Sequence, residues 1–128
     1  MPFDAPYQTP FGDIKLLTDA RSRISNRKLW ARNRFQDGDR HCLIVALSLA
    51  CGSRSFDIPN RMEKKLARLI AAQIPRDAPF MSRWRLIPVR HRLMALNDAP
   101  CTTHEDVMAL FDRTISHLVS TARISIPA

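Results

Sequence analysis

The decade Cys42-Leu-Ile-Val-Ala-Leu-Ser-Leu-Ala-Cys51 carries no charge and a single hydroxyl, that of Ser48. A segment apolar on nearly every side has to be enclosed by the rest of the chain. It is half of the roughly 20 residues that a helix needs to cross a bilayer, so enclosure by protein is expected, and no membrane association. Its Leu, Ile and Val content also suits a buried strand, which periodicity does not separate from a helix at this length. Ala46, Ala50 and the stop at Gly52 favour a helix over 41–51, with Asp39 as its cap.

The flanking segments are amphipathic in a way that fits such a hub. Thr9-Pro10 and Asp13 predict a helix start, and Ile14, Leu17, Ala20 and Ile24 form its apolar stripe, ending near Ser25 or Asn26. Asn60 and Glu63 resemble a capping box. Met62, Leu66, Leu69, Ile70 and Ile74 then line one face, Arg61, Lys64, Lys65 and Arg68 the other, and Pro75 ends the run. Pro88 opens a short helix through Leu96 with Asn97 as its end residue. Thr103 with Asp106 is a second capping box, followed by a stripe of Val107, Leu110, Phe111, Thr114, Ile115 and Leu118.

The expected fold is mainly α, a compact orthogonal bundle of about four to five helices around the central apolar one. One domain is expected over 1–128, with an extended N-terminal arm at 1–9, rich in Pro and aromatic residues, and a short C-terminal tail at 123–128. Residues 26–40 read as a polar loop pinned by Leu29, Trp30 and Phe35 and closed by the turn Asp37-Gly38-Asp39. Residues 76–87 read as a loop or a short edge strand.

Twenty Lys and Arg against twelve Asp and Glu leave the 128 residues with a net charge of +8. Most of the cations are Arg, whose planar fork suits carboxylate and phosphate. Two basic stretches interleave with aromatics: Arg27, Lys28, Arg32 and Arg34 around Trp30 and Phe35, and Arg83, Arg85, Arg90 and Arg92 around Trp84. Charge and stacking surface together are what binders of single-stranded nucleic acid use, and an acidic protein is the other partner that this surface suits. The plain alternative is solvated charge around buried rings. Met81 and Trp84, in a weakly patterned segment, also suit self-association into a homo-oligomer.

Catalytic motifs are missing. His41-Cys42 with Asp98 supplies the residue types of a thiolate nucleophile and its base, but a Cys at the head of an apolar helix is more often a small buried hydrophobe. Three cysteines without a Cys-x-x-Cys pair argue against a disulfide framework, and the four histidines complete no zinc pattern, so no metal is expected. Without a glycine-rich phosphate loop, no nucleotide cofactor is expected either. The N-terminus has neither a positive start nor an apolar stretch, which predicts cytoplasmic residence.

Leu29-Trp30, then Gly38-Asp-Arg-His-Cys42-Leu-Ile-Val-Ala46-Leu, then Leu96-Asn97-Asp98-Ala-Pro100 with Thr103 and Glu105-Asp106-Val107 occur in an order similar to an uncharacterised bacterial family. That family has a Gly-Trp, a Gly-x-x-Cys-x-x-Gly-Ala helix, a Trp-Asn-Asp and a Thr-x-x-Glu-Val helix start. Leu29, Val45 and Leu96 stand where the family has Gly, a small residue and Trp. The resemblance covers roughly 14 to 118 and implies a small helical domain, with Trp30, Cys42, Asn97 and Asp98 in its recurrent positions and no activity attached. The charge without a catalytic motif supports one functional expectation and the resemblance a second. The first is a non-enzymatic binding or regulatory module for an acidic macromolecule or protein. The second is a ligand-binding or enzymatic pocket near Cys42, Asn97 and Asp98, against which stands the structural role that Asn and Asp take between helices through turn and capping bonds.

Overall fold

The computed structural model describes residues 10–33, 36–55, 57–75 and 87–125. Five α-helices account for most of them: α1 (Pro10–Arg23), α2 (Leu43–Cys51), α3 (Arg61–Ala71), α4 (Val89–Asp98) and α5 (His104–Ser125). Between α1 and α2 lie one 3-10 turn (Arg27–Leu29) and a hairpin of β1 (Gln36–Asp37) and β2 (Arg40–His41). The fold is a small all-α bundle, as the apolar stripes predict.

The aliphatic decade is a helix. Gly52 ends it at φ +68°, a left-handed conformation that glycine adopts without steric cost. Leu43 through Ser48 are buried, and α2 packs on α1, α3 and α4. The enclosure is one-ended, because Leu49 is 45% exposed and the last turn of α2 reaches the surface. The stripes of α1 and α5 lie against each other, with Leu17, Ala20 and Ile24 facing Val107, Leu110, Phe111 and Leu118 in one continuous core. Phe111, with no exposure, is its largest fully buried side chain.

Three local expectations change. Asp39 does not cap α2. It sits in the hairpin turn, where Gly38 at φ +62° lets Asp37 pair with Arg40, and the N-cap is Cys42, whose Sγ accepts from the Val45 N–H at 3.5 Å. Residues 26–40 are not a plain loop: the Asn26 side chain caps the 3-10 turn through the Lys28 N–H, and the Ala31 N–H donates to the His41 carbonyl at 2.9 Å. At the other end α5 runs to Ser125, so the expected tail is helical for its first three residues. The N-terminal arm and residues 76–86 lie outside the described residues.

At α5 the capping box forms reciprocally. Thr103 N–H donates to Asp106 Oδ2 at 2.9 Å, and Asp106 N–H to Thr103 Oγ1 at 3.1 Å. No helix is long and apolar enough to cross a membrane among the described residues.

Candidate functional site

Asn97 is read from the sequence as a helix end. It lies in the last turn of α4, which closes one residue later, has no exposed surface, and its amide binds two other segments as well as its neighbour Asp98. Its Oδ1 accepts from Trp30 Nε1 at 2.7 Å and from the Leu43 N–H at 3.1 Å. Its Nδ2 donates to the Ala31 carbonyl and to Asp98 Oδ1, each at 2.9 Å. That satisfies both amide protons and both lone pairs of the oxygen.

The bond to Leu43 explains why α2 manages with a weak sulfur cap. The first N–H groups of a helix have no partner within it, and here the first is taken by a side chain 54 residues away. Asp98 continues the network outward. Its Oδ1 accepts from the Asn33 N–H at 2.7 Å, and Asn33 holds φ +63°, a left-handed conformation that Asn tolerates better than other residues bearing a Cβ. α4 thereby pins both ends of the Trp30–Asn33 turn.

Trp30 is half-buried and packs on the core cluster. The Arg32 guanidinium stands 5.1 Å from its ring centroid, and the His104 ring lies tilted at 5.8 Å. His104 is fixed in turn by a 2.7 Å hydrogen bond between Nε2 and the Ile24 carbonyl.

Of the four positions taken from the resemblance, Trp30, Asn97 and Asp98 thus form one hydrogen-bonded group, with Cys42 beside it at the head of α2. Burial pushes the Cys42 thiol above its ordinary pKa and Asp98 adds to the rise, outweighing the Val45 and Ile44 N–H groups that favour the thiolate. A buried, protonated thiol beside a fully engaged amide suits a structural joint better than a nucleophile.

The basic residues divide differently. Arg27, Lys28 and Arg32 are exposed around Trp30 and make no ion pair among the described residues. Arg90 and Arg92 are used internally: Arg90 Nε donates to Glu63 Oε2 at 3.2 Å, and Arg92 Nε to the Ile87 carbonyl at 3.0 Å. Arg34, Arg83 and Arg85, with Phe35, Met81 and Trp84, lie outside the described residues.

A second polar centre has no counterpart in the sequence reading. Glu63 has only 1% exposure, and its Oε1 accepts from Ser48 Oγ at 2.6 Å and Ser53 Oγ at 2.7 Å, while Oε2 meets Arg90. The capping box read at Asn60 is half present. Asn60 Oδ1 accepts from the Glu63 N–H at 2.8 Å, but the Asn60 N–H goes to Ser53 Oγ, and Ser53 hands the link on to Glu63. Ser48 was the available signal: a hydroxyl inside an apolar hub needs a buried partner. Asp13 is also buried, its Oδ2 2.9 Å from Lys65 Nζ and its Oδ1 without a partner among the described residues.

No cluster of three or more His, Cys, Asp or Glu side chains suited to a metal occurs among the described residues. The three cysteines are unpaired.

Residues 9–117 match the model of a family described as Family of unknown function (DUF6197), and the chain belongs to that family. The resemblance to an uncharacterised family read from the sequence therefore holds. Neither the curated proteins nor the solved structures provide a match to the chain.

Proposed function

We propose that this member of a family without known function is a non-enzymatic binding module, and that it takes an acidic macromolecule on the basic turn around Trp30. The carrying observation is that Arg27, Lys28 and Arg32 stand exposed and without ion pairs around Trp30, the first two on the 3-10 turn that Asn26 caps and Arg32 on the turn that Asn97 and Asp98 hold at Trp30, Ala31 and Asn33. A preformed turn loses little conformational entropy when a partner docks. The half-buried indole, already carrying the Arg32 guanidinium, offers the partner a flat surface as well as charge.

Nucleic acid is the first partner to test, since +8 net charge favours association with a polyanion. Fluorescence anisotropy of a labelled single-stranded oligonucleotide at two salt concentrations provides the test. Binding should weaken with salt, and Arg27→Ala/Lys28→Ala/Arg32→Ala should flatten the dependence of log affinity on log salt by about 2, at about 0.7 per lost single-strand phosphate contact. No binding at low salt removes the nucleic-acid version and leaves an acidic protein, for which an acidic peptide is the corresponding probe. Cytoplasmic residence belongs to the same proposal and is supported by the unpaired thiols, which suit a reducing compartment.

The pocket reading at Cys42, Asn97 and Asp98 has less support, because Asn97 has no hydrogen-bonding capacity left for a ligand.

A further inference from the structure

Away from the Trp30 turn, α3 and α4 leave a half-open cavity of about 270 Å³ between them. Lys64 and Arg68 stand one helical turn apart on α3 and line one wall, Arg90 lines the wall from α4, and Ala67 and Val89 supply apolar surface. Glu63 is the one carboxylate in the lining, and its charge is already met by Arg90 and two serine hydroxyls. Lys64 and Arg68 are exposed and make no ion pair among the described residues. The cavity therefore carries uncompensated positive charge over a short apolar wall.

The geometry points to this cavity as a binding site for a small organic carboxylate, held by Lys64 and Arg68 at its charged end and by Ala67 and Val89 along its body. The size fits a small molecule, as the volume lies just below the 300–1,000 Å³ typical of ligand pockets. The charge pattern fits a carboxylate, since an Arg fork accepts one in two parallel hydrogen bonds and a neighbouring Lys adds an unoriented charge. Glu63 contributes by position: its bond to Arg90 holds that guanidinium against α3, which keeps the positive wall in place without consuming Lys64 or Arg68. Recognition here is independent of the Trp30 turn, so either site stands if the other fails.

The test is a titration of the full ¹⁵N-labelled chain with isovalerate and with succinate, followed by amide NMR at constant ionic strength, with inorganic phosphate and chloride as controls. The expected result is saturable shifts confined to α3 and the start of α4, produced by at least one carboxylate and not matched by chloride. Lys64→Gln/Arg68→Gln should weaken that binding by at least about tenfold, the worth of one hydrogen bond to a charged group. Both side chains are exposed, so the variant should keep its fold, which an unchanged amide spectrum elsewhere verifies. The assignment is overturned by the absence of saturation below about 10 mM for both carboxylates. It is overturned equally by shifts that survive in the variant, or by phosphate or chloride acting as strongly as either acid.

Discussion

Asn97 in the last turn of α4 accepts the first N–H of α2, that of Leu43, at 3.1 Å, and the same oxygen takes the Trp30 indole at 2.7 Å. The chain thus closes the head of its most apolar helix with a side chain from a distant element, and the same side chain fixes the turn that carries the exposed Arg32. Asn97→Ala strands the N–H of Leu43 and the carbonyl of Ala31, both buried residues, and the indole N–H of the half-buried Trp30. The expected cost is about 3–5 kcal/mol, the range for breaking a buried hydrogen-bonding network. Chemical denaturation measures it. A loss below about 1 kcal/mol would show that the joint is dispensable. Asn97→Asp should also destabilise at neutral pH, by setting a second carboxylate beside Asp98, and recover in part on acidification, as protonation removes the repulsion.

Glu63, which is buried, pairs with a partly exposed Arg90, so the energetics differ from those of a surface bridge. Glu63→Ala removes the acceptor of the Ser48 and Ser53 hydroxyls together with one partner of Arg90, so the expected loss is about 2–4 kcal/mol. Glu63→Gln/Arg90→Met should cost less than Glu63→Ala, because the amide oxygen still accepts from the serines and the methionine replaces the arginine stem without its charge. Thermal unfolding of the single and double variants tests the order. If the double variant proves the less stable of the two, the net worth of the pair exceeds its desolvation cost.

The outer end of the Asn97 network predicts a graded response at Asn33. Its left-handed φ of +63° is open to Gly and strained for a β-branched residue. Asn33→Gly should change stability by less than about 0.5 kcal/mol, and Asn33→Val should cost more than about 1 kcal/mol. Asp98→Ala, which releases the Asn33 N–H, should raise amide exchange through 30–33 more than in α5. Uniform exchange across both regions would mean that Asp98 does not hold the turn.

How much of this was legible in the sequence follows from the range of each interaction. The stripe of Val107, Leu110, Phe111 and Leu118 and the Thr103–Asp106 box depend on residues three or four apart, and they appear as expected. Asp39 failed as a cap because a two-residue hairpin turn took it, a competition between local signals that spacing alone does not rank. Asn97 stands out only through the resemblance: local rules read it as a helix end, and its partners outside α4 are 54 to 67 residues away. Local spacing reads Glu63 as a capping residue, but its side chain turns inward, where Ser53 takes the Asn60 N–H and Ser48 needs an acceptor. Of the eight cations singled out, the pattern does not distinguish Arg90 and Arg92, spent on internal bonds, from Arg27, Lys28 and Arg32, which are not.

The three thiols should separate by reactivity and by pH. Cys101 is exposed, Cys51 partly covered and Cys42 buried, so a thiol reagent should modify them in that order, with Cys42 reacting only on unfolding. Prompt labelling of Cys42 in the native chain would instead revive a nucleophile at the head of α2. Burial pushes the Cys51 thiol up to about 12 from 9.0, and the charges of Glu63, Asp13 and Asp19 reinforce the rise. Between those values the unfolded chain has released the proton while the folded chain still holds it, so stability present below pH 9 is lost as pH rises toward 12. Each pH unit in that window shifts the unfolding equilibrium against the native state by up to about tenfold for this one group. Denaturant unfolding of the wild type and of Cys51→Ala, both under reducing conditions, isolates the effect from the other groups that titrate there. The alkaline fall should be shallower in the variant, and parallel curves would show that Cys51 ionises as freely in the folded chain as in the unfolded one.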